Sequence, residues 1–102
     1  MSINTIKTKQ TIINEINEHI KKSLPYSSWY IGIAKDARDR LFNDHNVSQT
    51  NAYWIYRECE SDTVSRDIEQ YFLKLGCKGG DGGGDYRSKY VYAYKITDTT
   101  VE

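Results

Sequence analysis

Ile6, Ile13, Ile16, Ile20 and Leu24 recur at three-, four- and seven-residue spacings with Lys, Glu and Asn between them. That period predicts an amphipathic helix over 5–24. Pro25 blocks its continuation, because a proline disfavours the helical conformation in the residue before it. Residues 28–34, SWYIGIA, form a short β-branched and aromatic run that predicts a buried strand. Asp36 is placed to cap a short helix over 37–45, whose apolar side is Ala37, Leu41 and Phe42. The polar stretch 46–51 is a loop. Residues 53–59, YWIYREC, predict a second strand. Ser61 or Asp62 caps a third helix striped by Val64, Ile68, Tyr71, Phe72 and Leu75, and Gly76 ends it. Residues 89–97 predict a third strand, in which Tyr90, Tyr92, Tyr94 and Ile96 alternate with Lys89, Val91, Ala93 and Lys95. The tail TDTTVE is expected to fray.

The order α-β-α-β-α-β places the chain in the α/β (α+β) class, as a small three-stranded sheet flanked by three helices. Strands alternating with helices point to βαβ units and a parallel sheet, although three strands leave the direction ambiguous. A chain of 102 residues makes one domain, 1–102. Such a domain buries roughly 60–65% of its unfolded surface, so its core is small. Nothing approaches the ~20 apolar residues of a membrane span.

Charge and composition then narrow the function. Fourteen basic and fourteen acidic side chains give a net charge of zero, which argues against coating nucleic acid by bulk electrostatics but leaves a local site open. Two cysteines, Cys59 and Cys77, lack metal-ligand spacing; without a visible secretory leader they read as reduced thiols of a cytoplasmic protein. Glycine takes five of the eight positions 78–85. The run lacks the Gly-Lys-Ser/Thr ending of a phosphate-binding loop and follows a helix, so 78–88 reads as a connector, with a minor ligand contact left open. His19 reads as a surface or boundary residue, and His45 as the C-terminal residue of the second helix, where positive charge is favoured. The nine tyrosines fall mainly on strands and helix faces. The N-terminal helix is either a cover for the sheet or a docking element for a second copy or a protein partner.

The segment Tyr30-Ile31-Gly32-Ile33-Ala34-Lys35-Asp36-Ala37-Arg38-Asp39-Arg40-Leu41 ends a strand at a glycine and presents Arg38 and Arg40 on different sides of a helix. It resembles the second half of the GIY-YIG nuclease signature, in which a Tyr-Ile-Gly strand precedes a helix carrying an Arg ten residues after the Tyr. Tyr30 and Arg40 have that spacing. The resemblance extends to the next strand and helix, where Glu69 falls at the place of the family's metal-binding carboxylate. His45 matches a histidine of many members, one residue later than their spacing. The family's first strand is replaced here by a helix and Pro25, while the last strand, with Tyr90 where the family has Gly, resembles it. The likeness therefore implies a circular permutation, with residues 89–97 pairing beside 29–34.

If the likeness holds, it implies metal-dependent phosphodiester hydrolysis of DNA or RNA, DNA being the favoured partner and Mg²⁺ or Mn²⁺ the cofactor. Glu69 would hold the metal and Arg40 the scissile phosphate. Tyr30 or Tyr92 would act as general base, with His45 assisting proton transfer. Gly32, Lys35 and Arg38 would contact substrate. Gly32 opposite a tyrosine is expected to leave room for a ligand. The alternative is a GIY-YIG-like module without catalysis, binding nucleic acid or protein.

Overall fold

The computed structural model describes residues 6–50, 53–80 and 87–102. The first helix, α1, spans Lys9–Ile20. Thr8 starts it: the hydroxyl accepts the Thr11 N–H at 3.2 Å and satisfies one of the unpaired donors of the first turn. A 3₁₀ turn, Lys21–Ser23, follows. The helix is thus shorter than the 5–24 expected from periodicity. Leu24, ahead of Pro25, is extended and 55% exposed, and does not join the stripe. Residue 5 lies outside the described residues.

Strand β1 is Trp29–Ala34. Asp36 caps α2, Ala37–Asp39, accepting the Asp39 N–H at 3.0 Å. The helix then widens into a π turn, Arg40–Asp44, closed by the His45 N–H on the Arg40 carbonyl at 2.9 Å. Strand β2 is Trp54–Glu58. Helix α3, Asp62–Leu75, is capped by Ser61, whose hydroxyl accepts the Val64 N–H. It stops at Gly76, where φ is +116°, a value a side chain would make costly. Strand β3 is Tyr90–Lys95.

The sheet order is β1-β3-β2, and both pairings are antiparallel. The parallel sheet suggested by alternating elements is therefore corrected. The cause lies in the stretch after α3. Lys78 bridges Tyr30 in parallel, its N–H on the Trp29 carbonyl and its carbonyl on the Ile31 N–H, both at 2.8 Å. This stretch runs with β1 towards the Ala34 end of the sheet. From there β3 runs back, beginning with Tyr90 opposite Ala34. The expected neighbours 29–34 and 89–97 do pair. The first residues of the expected connector 78–88 also cover the outer edge of β1, which would otherwise present unpaired backbone groups; 81–86 lie outside the described residues.

The two faces of the sheet are built differently. Trp29, Ile31, Ile33, Ile55, Val91 and Ala93 face α1 and α3, and pack on Ile12, Ile16, Ile20, Ile68 and Phe72. Ile12, Ile13, Ile16 and Ile20 of α1 are buried in this core, so the helix covers the sheet. The opposite face carries Tyr30, Tyr92 and Tyr94 with Ala34, packed on Ala37, Leu41 and Val47. Cys59 and Cys77 are buried free thiols, each pushed up to about 11 by burial. Among the described residues no helix is long and apolar enough to cross a membrane.

Candidate functional site

Alternation along β1 and β3 turns Tyr30, Gly32 and Ala34 to the same side as Tyr90, Tyr92 and Tyr94. The register sets Gly32 across from Tyr92. A Cβ on Gly32 would lie 2.5 Å from the Tyr92 hydroxyl oxygen and 2.6 Å from the ring carbon that bears it. The space above Gly32 is therefore filled by the Tyr92 ring and is not left for a ligand, contrary to the expectation from the sequence. Its glycine is what lets that ring lie flat across β1. The Tyr30 ring stacks beside it, centroids 6.4 Å apart.

A cavity of about 600 Å³ opens beside these rings. Tyr30, Arg40, Glu69 and Tyr92 all line it, and Gly32 and Lys35 contribute to its wall. Arg38 does not. It lies over the Phe42 ring, 5.1 Å from the centroid, and reaches Gln49 at 3.4 Å. Arg38 thus lies outside the cavity wall that the other candidates share. Gly80, Arg87 and Ser88 also line the cavity. Ser88 is held there by its carbonyl, which lies 2.5 Å from the Ser65 hydroxyl of α3.

The π turn explains how Arg40 and His45 serve one site although they are five residues apart. In a regular α-helix that spacing turns the second side chain well off the face of the first. The wider turn brings it back, and such single-turn π segments recur at functional sites. Both side chains reach Tyr92. Arg40 acts on the phenol electrostatically, its charge favouring the phenolate form, and His45 Nε2 lies 2.8 Å from the hydroxyl. Arg40 also pairs with Asp44 at 3.4 Å, an exposed contact of little stability value that leaves the guanidinium able to exchange partners.

His45 does end the helix, but it is 3% exposed, and burial disfavours the positive charge that a helix C-terminus was expected to favour. Its Nδ1 is 2.6 Å from the Val101 carbonyl. A carbonyl only accepts, so Nδ1 carries the hydrogen and Nε2 of the neutral ring is bare. The Tyr92 hydroxyl donates to that nitrogen. Burial, with Arg40 nearby, holds the His45 pKa below its ordinary value against the opposing pull of the Val101 carbonyl. Tyr94 belongs to the same cluster, its hydroxyl 3.0 Å from His45 Nδ1. In the sequence the signal for this contact was the place of Tyr94 on the tyrosine face of the strand.

Burial pushes the Tyr92 phenol up to about 12, with the neighbouring Tyr30 adding to it and Arg40 opposing. Tyr30 is also raised by burial, offset by a hydrogen bond with the Gly80 backbone and by Arg40. Glu69, 5% exposed, is raised by burial, offset by Arg66. Among the described residues no hydrogen bond or ion pair reaches its carboxylate. The other cavity acids are engaged locally: Asp36 caps α2, Asp39 accepts from Asn43 at 2.6 Å, and Asp44 meets Arg40.

A desolvated carboxylate without a partner, at the wall of a cavity, suits a hard divalent cation that keeps most of its water shell. No group of three or more His, Cys, Asp or Glu able to hold a metal occurs among the described residues, so a cation at Glu69 would take its other ligands from water and phosphate oxygens. The cavity thus combines the Glu69 carboxylate, the Arg40 and Arg87 guanidinium groups and a phenol hydrogen-bonded to a neutral imidazole. Comparison of the chain with protein-family models, with curated proteins and with solved structures finds no match.

Proposed function

We propose that this cavity hydrolyses phosphodiester bonds of a nucleic acid, DNA in preference to RNA. The observation that carries the reading is the convergence of Tyr30, Arg40, Glu69 and Tyr92 on one cavity, with the Tyr92 hydroxyl donating to a buried His45. The residues have distinct tasks. Arg40 pairs with the phosphate and stabilises the negative charge that grows on it. Tyr92 gives its hydroxyl proton to His45 Nε2 and, as phenolate, takes a proton from the attacking water. Tyr30, anchored by the Gly80 backbone, orients that water. Glu69 would hold Mg²⁺ or Mn²⁺, which would neutralise charge at the phosphate and make the nearby water more acidic.

Zero net charge limits the affinity available from the phosphate backbone. Stacking offers the other source. Tyr90, Tyr56 and Trp54 continue the tyrosine face away from the cavity, half-buried, with successive ring centroids 6.2 and 6.1 Å apart. Exposed ring faces of this kind hold unpaired bases without sequence preference.

The test is cleavage of supercoiled plasmid, single-stranded DNA, branched DNA and RNA with Mg²⁺ or Mn²⁺, and with chelator. The expected result is metal-dependent cleavage by the native chain and none by Arg40→Ala, whose side chain is exposed enough to be removed without unfolding the protein. Equal cleavage by the two proteins refutes the reading.

Binding without turnover is the second reading, and one observation favours it: burial raises both Tyr92 and Glu69, which favours their uncharged forms. Retained nucleic-acid binding with no cleavage of any substrate selects it.

A further inference from the structure

The residues after β3 were expected to fray, yet they fold back onto the site. The His45 carbonyl accepts the Val101 N–H at 2.7 Å, and His45 Nδ1–H donates to the Val101 carbonyl at 2.6 Å. Val101 and His45 therefore grip each other twice. A second clamp lies one residue on from His45. Asn46 takes φ of +56°, a left-handed conformation that asparagine tolerates better than most residues, and its side-chain amide donates to the Thr99 carbonyl at 2.9 Å. Within the tail, the Thr100 N–H closes a turn on the Thr97 carbonyl at 3.3 Å. The Tyr94 hydroxyl, 3.3 Å from the Val101 carbonyl, adds a donor from the central strand.

We propose that segment 97–101 is a positioning latch, which fixes the tautomer and orientation of His45 so that Nε2 is bare and aimed at the Tyr92 hydroxyl. The chemistry of the carbonyl decides the tautomer. With a hydrogen bond acceptor on Nδ1, the neutral imidazole keeps its proton there, and Nε2 is free to accept. The side-chain groups around the ring do not make that choice. Tyr92 and Tyr94 carry hydroxyls, which donate or accept, and Arg40 engages the phenol of Tyr92. Without the latch the two tautomers compete, and one of them points an N–H at the phenol and cannot take its proton. Val101 acts through His45 and is not itself catalytic. The side chain of Val101 is 57% exposed, so the tail is held by its backbone and not by apolar burial.

The latch rests on the proposed hydrolysis only for its consequence. Its test therefore reads the ring directly. Long-range ¹H–¹⁵N correlation spectra of the histidines, assigned with His45→Gln, are compared for the native chain, a chain lacking residues 101–102, and Asn46→Gly. The glycine keeps the left-handed backbone and deletes only the amide clamp. The native ring is expected as a single Nδ1–H tautomer, the shortened chain as a mixture, and Asn46→Gly as a smaller shift in the same direction. If the shortened chain does not fold, Asn46→Gly alone decides. An unchanged single tautomer in the folded variants, or an Nε2–H ring in the native chain, overturns the latch. In cleavage assays the shortened chain is expected to lose about tenfold in kcat at unchanged KM. A tautomer shift in a chain that cleaves nothing leaves the latch standing and counts against hydrolysis alone.

Discussion

The two faces of the sheet are buried almost equally and have opposite chemistry. On the helix-covered face Trp29, Ile31, Val91 and Ala93 are fully enclosed with Ile12, Ile16, Ile68 and Phe72. The Trp29 indole N–H, the one polar atom among these side chains, is settled by the Ser23 carbonyl at 2.9 Å. On the other face Tyr92 and Tyr94 are 1% and 0% exposed, and their hydroxyls have to find partners inside. They find them in His45 and Val101. The first face asks only for volume and shape. The second holds a proton network whose members are individually replaceable for packing but not for hydrogen bonding. Stability should therefore respond to substitutions on the first face, and chemistry to substitutions on the second.

The sharpest break in that contrast is Phe72→Ala, which leaves a cavity in the helix-covered core. A loss of about 3–5 kcal/mol is expected in chemical denaturation, with specific activity of the remaining folded protein unchanged. Tyr92→Phe inverts the pattern. The ring stays, the hydroxyl goes, and kcat is expected to fall about a hundredfold, or ~3 kcal/mol of barrier, while denaturation moves by only about 1 kcal/mol. Gly32→Ala joins the faces, since its new methyl collides with Tyr92. It is expected to cost about 2 kcal/mol of stability and to shift the Tyr92 and His45 resonances, whereas Ala93→Gly on the far face leaves those resonances in place.

Tyr56→Ala tests the stacking surface. A loss of about 1 kcal/mol in affinity for single-stranded DNA is expected from fluorescence anisotropy, with little change in its salt dependence. The smallest effect is expected from Glu69→Gln measured as stability. Burial raises this carboxyl in the folded protein, so its charged form opposes folding at neutral pH. The native chain should gain stability as pH falls through the raised folded value, and the difference from the Gln variant should vanish below the ordinary carboxylate range. Denaturation of both proteins from pH 7 to pH 3 checks the sign. Added Mg²⁺ should stabilise the native chain and not the variant.

Much of this could be read from the residues in advance. Strict alternation in β3 put three tyrosines on one side. The Ser61 cap and Gly76 bounded α3. That Tyr30, Arg40, Glu69 and Tyr92 share a cavity was anticipated through the resemblance of their order and spacing to the GIY-YIG signature, not through periodicity. Strand direction was not legible, since it depends on Lys78 running along β1, and a glycine run carries no periodicity. The π turn was invisible because nothing in RLFND distinguishes four residues per turn from five. The latch was missed for a related reason: its contacts use backbone carbonyls at Thr99 and Val101, which every residue possesses. The sense of Gly32 was misread because the sequence does not say which side chain leans over a gap.

The position of β3 has one more consequence, in time. β1 and β2 are not paired with each other; the outer edge of β1 carries the short Lys78 bridge, and the strand that pairs with both is β3, which lies between them. That strand follows both in the chain, so a polypeptide leaving the ribosome carries two unpaired strands until residues 90–95 emerge. The helices can form in that interval, but the cavity cannot, because its Tyr92 wall does not yet exist. Assembly of the candidate site is therefore coupled to completion of the fold, and a shortened translation product cannot expose a half-built one.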